Sequence, residues 1–199
     1  MNPTVGPLPD KRERDLNALY RMGIGTTLVF VTVTFAALCL VFVIRSRVPF
    51  NWQHIYLPPI LWFDTALLAA SSVTYEIGHR KLKAAEQHAF FRWTEASAAL
   101  GVLFLAGQFV AWWQVLSTGQ LVRNNPHSTF FFLLSGMHGA HILVGLAGLA
   151  ALLYRTREPA SGPRWQMNTR VLANAVSLFW HYLDLLWLIL FGMLLLVRR

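Results

Sequence analysis

Among the polar side chains inside the long apolar stretches, seven stand out as able to hydrogen-bond, ligate or ionise: Asp64, His138, His141, Asn174, Ser177, His181 and Asp184. Asn174, Ser177, His181 and Asp184 stand at offsets 0, 3, 7 and 10, which puts them on one face of an α-helix. His138, His141, Gly145 and Gly148 repeat that spacing, and Ser135 with Gly139 forms a small-x-x-x-small pair that permits close helix approach. Asp64, Ser71 and Tyr75 share a third face at offsets 0, 7 and 11. An unpaired ionisable group at mid-bilayer costs several kcal/mol, so each such residue is a candidate functional or helix-docking site.

Three chemistries fit these residues. His138 is nine residues from Thr129 and His181 ten from Val171, and at about 1.5 Å rise per residue both lie near mid-membrane, within possible contact. Bis-histidine haem ligation is one use, and a proton relay through His181 and Asp184 a second. The third is plain interhelical hydrogen bonding, in which His138, His141, His181 and Asp184 satisfy one another and neighbouring hydroxyls, with lipid contact as a variant. Glu95 is expected near the inner interface as an ion pair with Arg92, and Glu76 is read in the same way. Cys39 is the only cysteine, so neither an internal disulfide nor a thiolate metal site is open to it. Nucleophile elbow, Walker and dinucleotide glycine loops and H-E-x-x-H are all absent from the sequence. No catalytic, cofactor-binding or metal residue is expected.

The elements that must position these residues are membrane spans. Of the 199 residues 55% are hydrophobic and the mean hydropathy is +0.45, more apolar than a soluble domain with a polar surface. A span needs roughly 20 apolar residues. The pattern predicts an all-α, polytopic protein with five transmembrane helices near 22–44, 58–77, 93–116, 128–154 and 170–197, forming one domain over 22–199. Residues 1–21 read as a polar cytoplasmic tail, flexible until about Leu16. Arg45, Arg47 and Pro49 close the first helix, and Phe50, Trp52 and Tyr56 supply an interfacial aromatic belt. A basic loop of His79, Arg80, Lys81 and Lys83 follows the second helix, and Asn124, Asn125 and Pro126 turn into the fourth. Tryptophans at 62, 93, 112, 113 and 165 read as interfacial anchors, and the first apolar run, too long for a signal segment, as a retained helix.

The net charge of +8 is spread in short clusters between apolar runs and not in a stripe, which argues against a nucleic-acid partner. Twelve of the 17 Lys and Arg residues fall on the side of the N-terminal tail and the second and fourth loops, and 5 on the other. The positive-inside rule then gives a cytoplasmic N-terminus and a periplasmic C-terminus, as an odd number of spans requires.

Two runs resemble a known family. Ser128-Thr129-Phe130-Phe131-Phe132 followed by Gly136-Met137-His138-Gly139-Ala140-His141-Ile142-Leu143-Val144-Gly145 is similar to S-x-F-F and G-x-H-G-x-H-x-x-x-G of subunit III of the haem-copper (cytochrome c or quinol) oxidases. Phe179-Trp180-His181-Tyr182-Leu183-Asp184-Leu185-Leu186-Trp187 resembles the W-H-F-x-D-x-x-W signature of that subunit's last helix, and Asp64 to Thr74 is similar to N-T-x-x-L-x-x-S-S-x-T. The chain resembles the five-helix form. Val31 stands where family members carry a buried carboxylate, and Asp64 where Asn is commoner.

The resemblance implies a non-catalytic subunit of an oxygen-reducing, proton-pumping complex in the bacterial inner membrane. Haem and copper would sit in partner subunits, chiefly catalytic subunit I. This chain would support assembly, bind phospholipid and sustain proton uptake. An accessory subunit of nitric oxide reductase shares the same superfamily motifs and is the alternative. A stand-alone haem membrane protein and a small transporter are readings of other classes, the latter disfavoured by smooth apolar runs without paired discontinuous helices.

Overall fold

The computed structural model describes residues 11–48, 57–117, 125–157 and 162–197. It consists there of five α-helices: α1 Lys11–Ser46, α2 Ile60–Lys83, α3 Gln87–Ser117, α4 Pro126–Thr156 and α5 Pro163–Val197. Four of them, α1, α3, α4 and α5, are long and apolar enough to cross a membrane. The predicted aromatic belt at Phe50, Trp52 and Tyr56 and the first ten residues of the tail lie outside the described residues.

Every helix is longer than its apolar run, and the excess is at charged ends. α1 begins at Lys11 and not near Met22, because Lys, Arg, Glu and Leu are strong helix formers and carry the helix beyond the membrane. The expected basic loop is likewise the last turn of α2, where Arg80 pairs with Glu76 at i and i+4, Nε to Oε1 2.8 Å. α3 starts at Gln87 and α5 at Pro163, whose fixed φ suits a first helical position and which follows Gly162 at φ 90°. α4 opens at Pro126, with the Asn125 side chain accepting from the His127 amide at 3.1 Å as N-cap.

α2 and α3 form the tightest pair, joined by Ala84, Ala85 and Glu86. The Glu86 amide reaches back to the Lys81 carbonyl at 3.0 Å while Ala85 stands at φ 62°, a Schellman-type end with alanine where glycine is usual. Close approach is helped by Gly78, where a Cβ would lie 2.9 Å from Trp93 Cβ. α3 packs on α4, α4 on α5, and α5 closes back on α2. α1 stands outside this four-helix body and among the described residues touches α4 and α5 alone. Its inward stripe is Val31, Phe35 and Phe42, with Phe35 edge-on to His141 and Phe42 edge-on to Phe130.

An L-residue in the left-handed region costs about 1–2 kcal/mol, a cost glycine avoids. Ala85→Gly is therefore expected to stabilise the α2–α3 hairpin by about 0.5–1 kcal/mol, read as a higher thermal midpoint of the detergent-solubilised protein. A lower midpoint would contradict this account of the turn.

Candidate functional site: the α2–α5 polar seam

The polar residues of α2 and α5 meet in antiparallel register. Trp187 Nε1 donates to Thr65 Oγ1 at 3.0 Å, Trp180 Nε1 to Ser71 Oγ at 3.1 Å and Tyr75 Oη to the Ala173 carbonyl at 2.9 Å. His79 Nε2 lies 2.8 Å from Asn174 Oδ1 and Ser72 Oγ 3.0 Å from His181 Nδ1. Since an amide oxygen only accepts, His79 carries its proton on Nε2 in that bond. Five consecutive rungs thus run from Thr65 to His79.

At the centre of the seam the Trp180 indole is wedged among three other helices. A Cβ at Gly101 of α3 would lie 2.9 Å from its Cη2, and one at Gly145 of α4 2.7 Å from its Cζ3. Ser71, its hydrogen-bond partner on α2, donates in turn to the Ser97 carbonyl at 2.9 Å, and Ser97 Oγ returns a bond of 2.9 Å to the Ser71 carbonyl. Both hydroxyls and the indole are fully used. One turn away Val176 covers Gly148, with a hypothetical Cβ 3.0 Å from its Cγ2.

Toward the C-terminal end of α2 lies a cluster of titratable groups. Glu76, half-buried, binds Arg80 through Oε1, and its Oε2 is 3.7 Å from His79 Nδ1 and 3.8 Å from His181 Nε2. Ser72 Oγ lies 3.0 Å from His181 Nδ1, and the Asp184 carboxyl is close to both. The proximity of His181 and Asp184 read from the sequence is present, with Ser72 beside them.

The structure separates the two histidine faces that the sequence reading allowed to meet. His181 and Asn174 look to α2, whereas His138 packs on Trp187, six residues further along α5 than His181. His138 is fully buried between Phe104, edge-on at 5.7 Å, and Trp187 at 5.1 Å, and among the described residues neither of its ring nitrogens has a hydrogen-bond partner. His141 is half-buried and donates Nδ1–H to the Met137 carbonyl at 2.7 Å. Ser177 is buried on the inward face of α5. Mutual satisfaction of His138, His141, His181 and Asp184 is thus replaced by bonds to α2, to backbone and to aromatic rings. The bis-histidine pairing of His138 with His181 is not formed.

Asp64, Ser71 and Tyr75 are all fully buried on α2 as their spacing suggested, with Asp64 on Gln108 of α3. Glu95 is exposed and, among the described residues, makes no ion pair with Arg92. Trp112 is half-buried and donates to Ser135 Oγ at 2.9 Å, so it ties α3 to α4 instead of anchoring at the surface. Thr65, Ser72 and His79 complete the seam and were not singled out from the sequence as site residues. Their spacing of 0, 7 and 14 along α2 was the available signal. Among the described residues no group of three or more His, Cys, Asp or Glu side chains gathers to hold a metal ion.

The comparisons with known proteins bear on the same helices. The family described as cytochrome c oxidase subunit III matches residues 27–197, which include every residue of the seam. The chain belongs to the cytochrome c oxidase subunit III family. Its relatives include the cytochrome c oxidase subunit 3 of Thermostichus vulcanus, 26% identical over 73% of this chain and 68% of that one. The probable cytochrome c oxidase subunit 3 of Nocardia farcinica is 27% identical and that of Mycobacterium leprae 26% identical, each over 98% of this chain and 97% of theirs. The protein is accordingly a multi-pass membrane protein and a subunit III of a haem-copper oxidase, part of an oxidoreductase complex. The subunit III signature now has physical content. In W-H-Y-L-D the tryptophan is the four-helix wedge, the histidine and aspartate converge on Ser72, and Tyr182 donates to Thr32 of α1 at 2.7 Å.

Removing the wedge separates packing from hydrogen bonding. Trp180→Ala is expected to cost about 3–5 kcal/mol through the cavity it leaves, and Trp180→Phe about 1–2 kcal/mol through loss of the bond to Ser71 and of part of the ring. Thermal denaturation of the detergent-solubilised protein measures both. Equal losses for the two variants would overturn the ranking.

Proposed function

We propose that this chain is the non-catalytic, five-span subunit III of a haem-copper terminal oxidase in a bacterial inner membrane. In this reading it docks on catalytic subunit I, binds phospholipid and sustains proton uptake, while haem and copper are carried by partner subunits. The observation that carries it is the family match through 27–197, with the α4 and α5 motifs inside it.

The fifth span is α2. Its 24 residues cover about 36 Å, enough for a hydrocarbon layer of about 30 Å. It is less apolar than its neighbours because Asp64, Ser71, Ser72, Tyr75 and His79 face protein, whereas Trp62, Phe63 and Val73 face outward. With five spans the count of 12 basic residues against 5 supports a cytoplasmic N-terminus and a periplasmic C-terminus.

The phospholipid role has a fitting place at the cytoplasmic ends of α4 and α5. A cavity of about 530 Å³ is lined by Ala151, Tyr154, Arg155, Arg157, Trp165 and Leu172. Arg155 Nε is buried there without a hydrogen-bond partner. Two guanidinium groups above an aliphatic floor suit a phosphate headgroup with its acyl chains in the bilayer.

Co-purification tests the assignment. The tagged chain is expected to bring down a partner containing haem and a copper centre, and a haem and non-haem-iron partner would sink the oxidase reading in favour of a nitric oxide reductase. Asp184→Leu removes the carboxyl beside Ser72 and His181 and is expected to reduce subunit retention after detergent extraction. Unchanged retention with lost proton pumping would replace docking by a relay. Arg155→Gln is expected to lower the phospholipid phosphorus retained on purification by about one lipid per complex, a count that an occupied cavity predicts.

A further inference from the structure

The seam between α2 and α3 contains a carboxyl group that none of the roles above uses. Asp64 is fully buried, and the Gln108 carboxamide, itself almost fully buried, donates Nε2–H to its Oδ2 at 3.0 Å. A Cβ on Gly107 would collide with the carboxyl, so the missing side chain at that position is the seat in which Asp64 rests. Two atoms of this pair remain unsatisfied, Asp64 Oδ1 and Gln108 Oε1, and both are acceptors as drawn.

Two buried acceptors in one hydrogen-bonded pair, with no donor for either among the described residues, lack a hydrogen. A cation would offer an alternative, but among the described residues no Lys, Arg or His forms an ion pair with Asp64. α3 presents Gly107 and Gln108 to this place, and α5 presents Trp187, whose indole is committed to the adjacent Thr65. The nearest titratable groups of α2 itself, Glu76 and His79, are at least 12 residues or about 18 Å further along the helix. A carboxylate here would have a single neutral hydrogen bond in a low-dielectric setting, which is the arrangement that burial penalises most.

We infer that Asp64 is held as a neutral carboxylic acid, hydrogen-bonded to the Gln108 carboxamide across the α2–α3 seam in a seat that Gly107 leaves open. The acid proton makes Asp64 a donor as well as an acceptor, as an amide is, and removes the charge from the interior. Asp64 thereby joins α2 to α3 about two turns before Ser71, which likewise bonds to α3 through Ser97.

Infrared absorption of the protein purified with the subunits it retains tests this. A protonated-carboxyl C=O band present at neutral and mildly alkaline pH, shifted in deuterated buffer and missing from Asp64→Asn, is expected. Asp64→Asn should keep the wild-type melting midpoint, since its amide supplies both a donor and an acceptor, whereas Asp64→Leu should lower it. If Asp64→Asn does not assemble, Gln108→Leu takes its place, because loss of the carboxamide must shift the same band. A spectrum in which the wild type shows no band assignable to Asp64 at neutral pH and gains one only on acidification would overturn the proposal. So would a Gln108→Leu spectrum identical to wild type.

Discussion

One indole holds the four-helix body together. Trp180 projects from α5 into the space vacated by Gly101 on α3 and Gly145 on α4, and fastens its N–H to Ser71 on α2. Helices in a bilayer gain little from hiding apolar surface from one another, because lipid tails are as apolar as leucine, so close packing and hydrogen bonds decide their arrangement. A large ring between two glycines maximises contact, and its single polar atom needs a partner when buried. Ser71 meets that need without leaving its own hydroxyl or that of Ser97 unpaired. The positions of α2, α3 and α4 about α5 follow from this one contact set.

The rungs on either side of Trp180 explain why α2 is less apolar than α3, α4 and α5. Its hydroxyls, Tyr75 and His79 are the partners of α5, and every one of these bonds crosses between helices instead of facing lipid. α1 is built on the opposite plan. It is joined to the body by an apolar stripe and by one hydroxyl pair, Thr32 with Tyr182, and the rest of its length carries outward-facing Val29, Phe30, Val33, Leu40 and Val41. Val31, at the place where the family carries an acid, is buried in that stripe. The neighbouring His141 turns its N–H to its own helix backbone.

The histidines show how much environment separates residues of the same type. His138 is enclosed by Phe104 and Trp187 with no hydrogen-bond partner for either nitrogen among the described residues, while His79 and His181 flank the Glu76 carboxylate at the half-exposed end of the seam. Fully enclosed imidazole packs as an aromatic ring. Imidazole beside a carboxylate and a serine joins helices through both of its nitrogens.

Much of this was legible in the chain itself. Five apolar runs predict five helices because a helix is the only single segment whose backbone is satisfied within lipid, and the spacings of Asp64, Ser71 and Tyr75 and of Asn174, His181 and Asp184 predict which faces look into protein. The family was readable from the α4 and α5 motifs, since Trp, His, Asp and Gly at fixed intervals are rare in apolar helices. The ends of the helices were not, because charged residues such as Lys11 and Arg80 are good helix formers beyond the membrane and their hydropathy marks only where the apolar run stops. Nor was the partner of each face. Periodicity states that Asn174 and His181 share a side of α5, but whether that side meets His138 of α4 or Ser72 and His79 of α2 depends on the rotation of α5. The fit of Trp180 between Gly101 and Gly145, with the rungs to α2, sets that rotation.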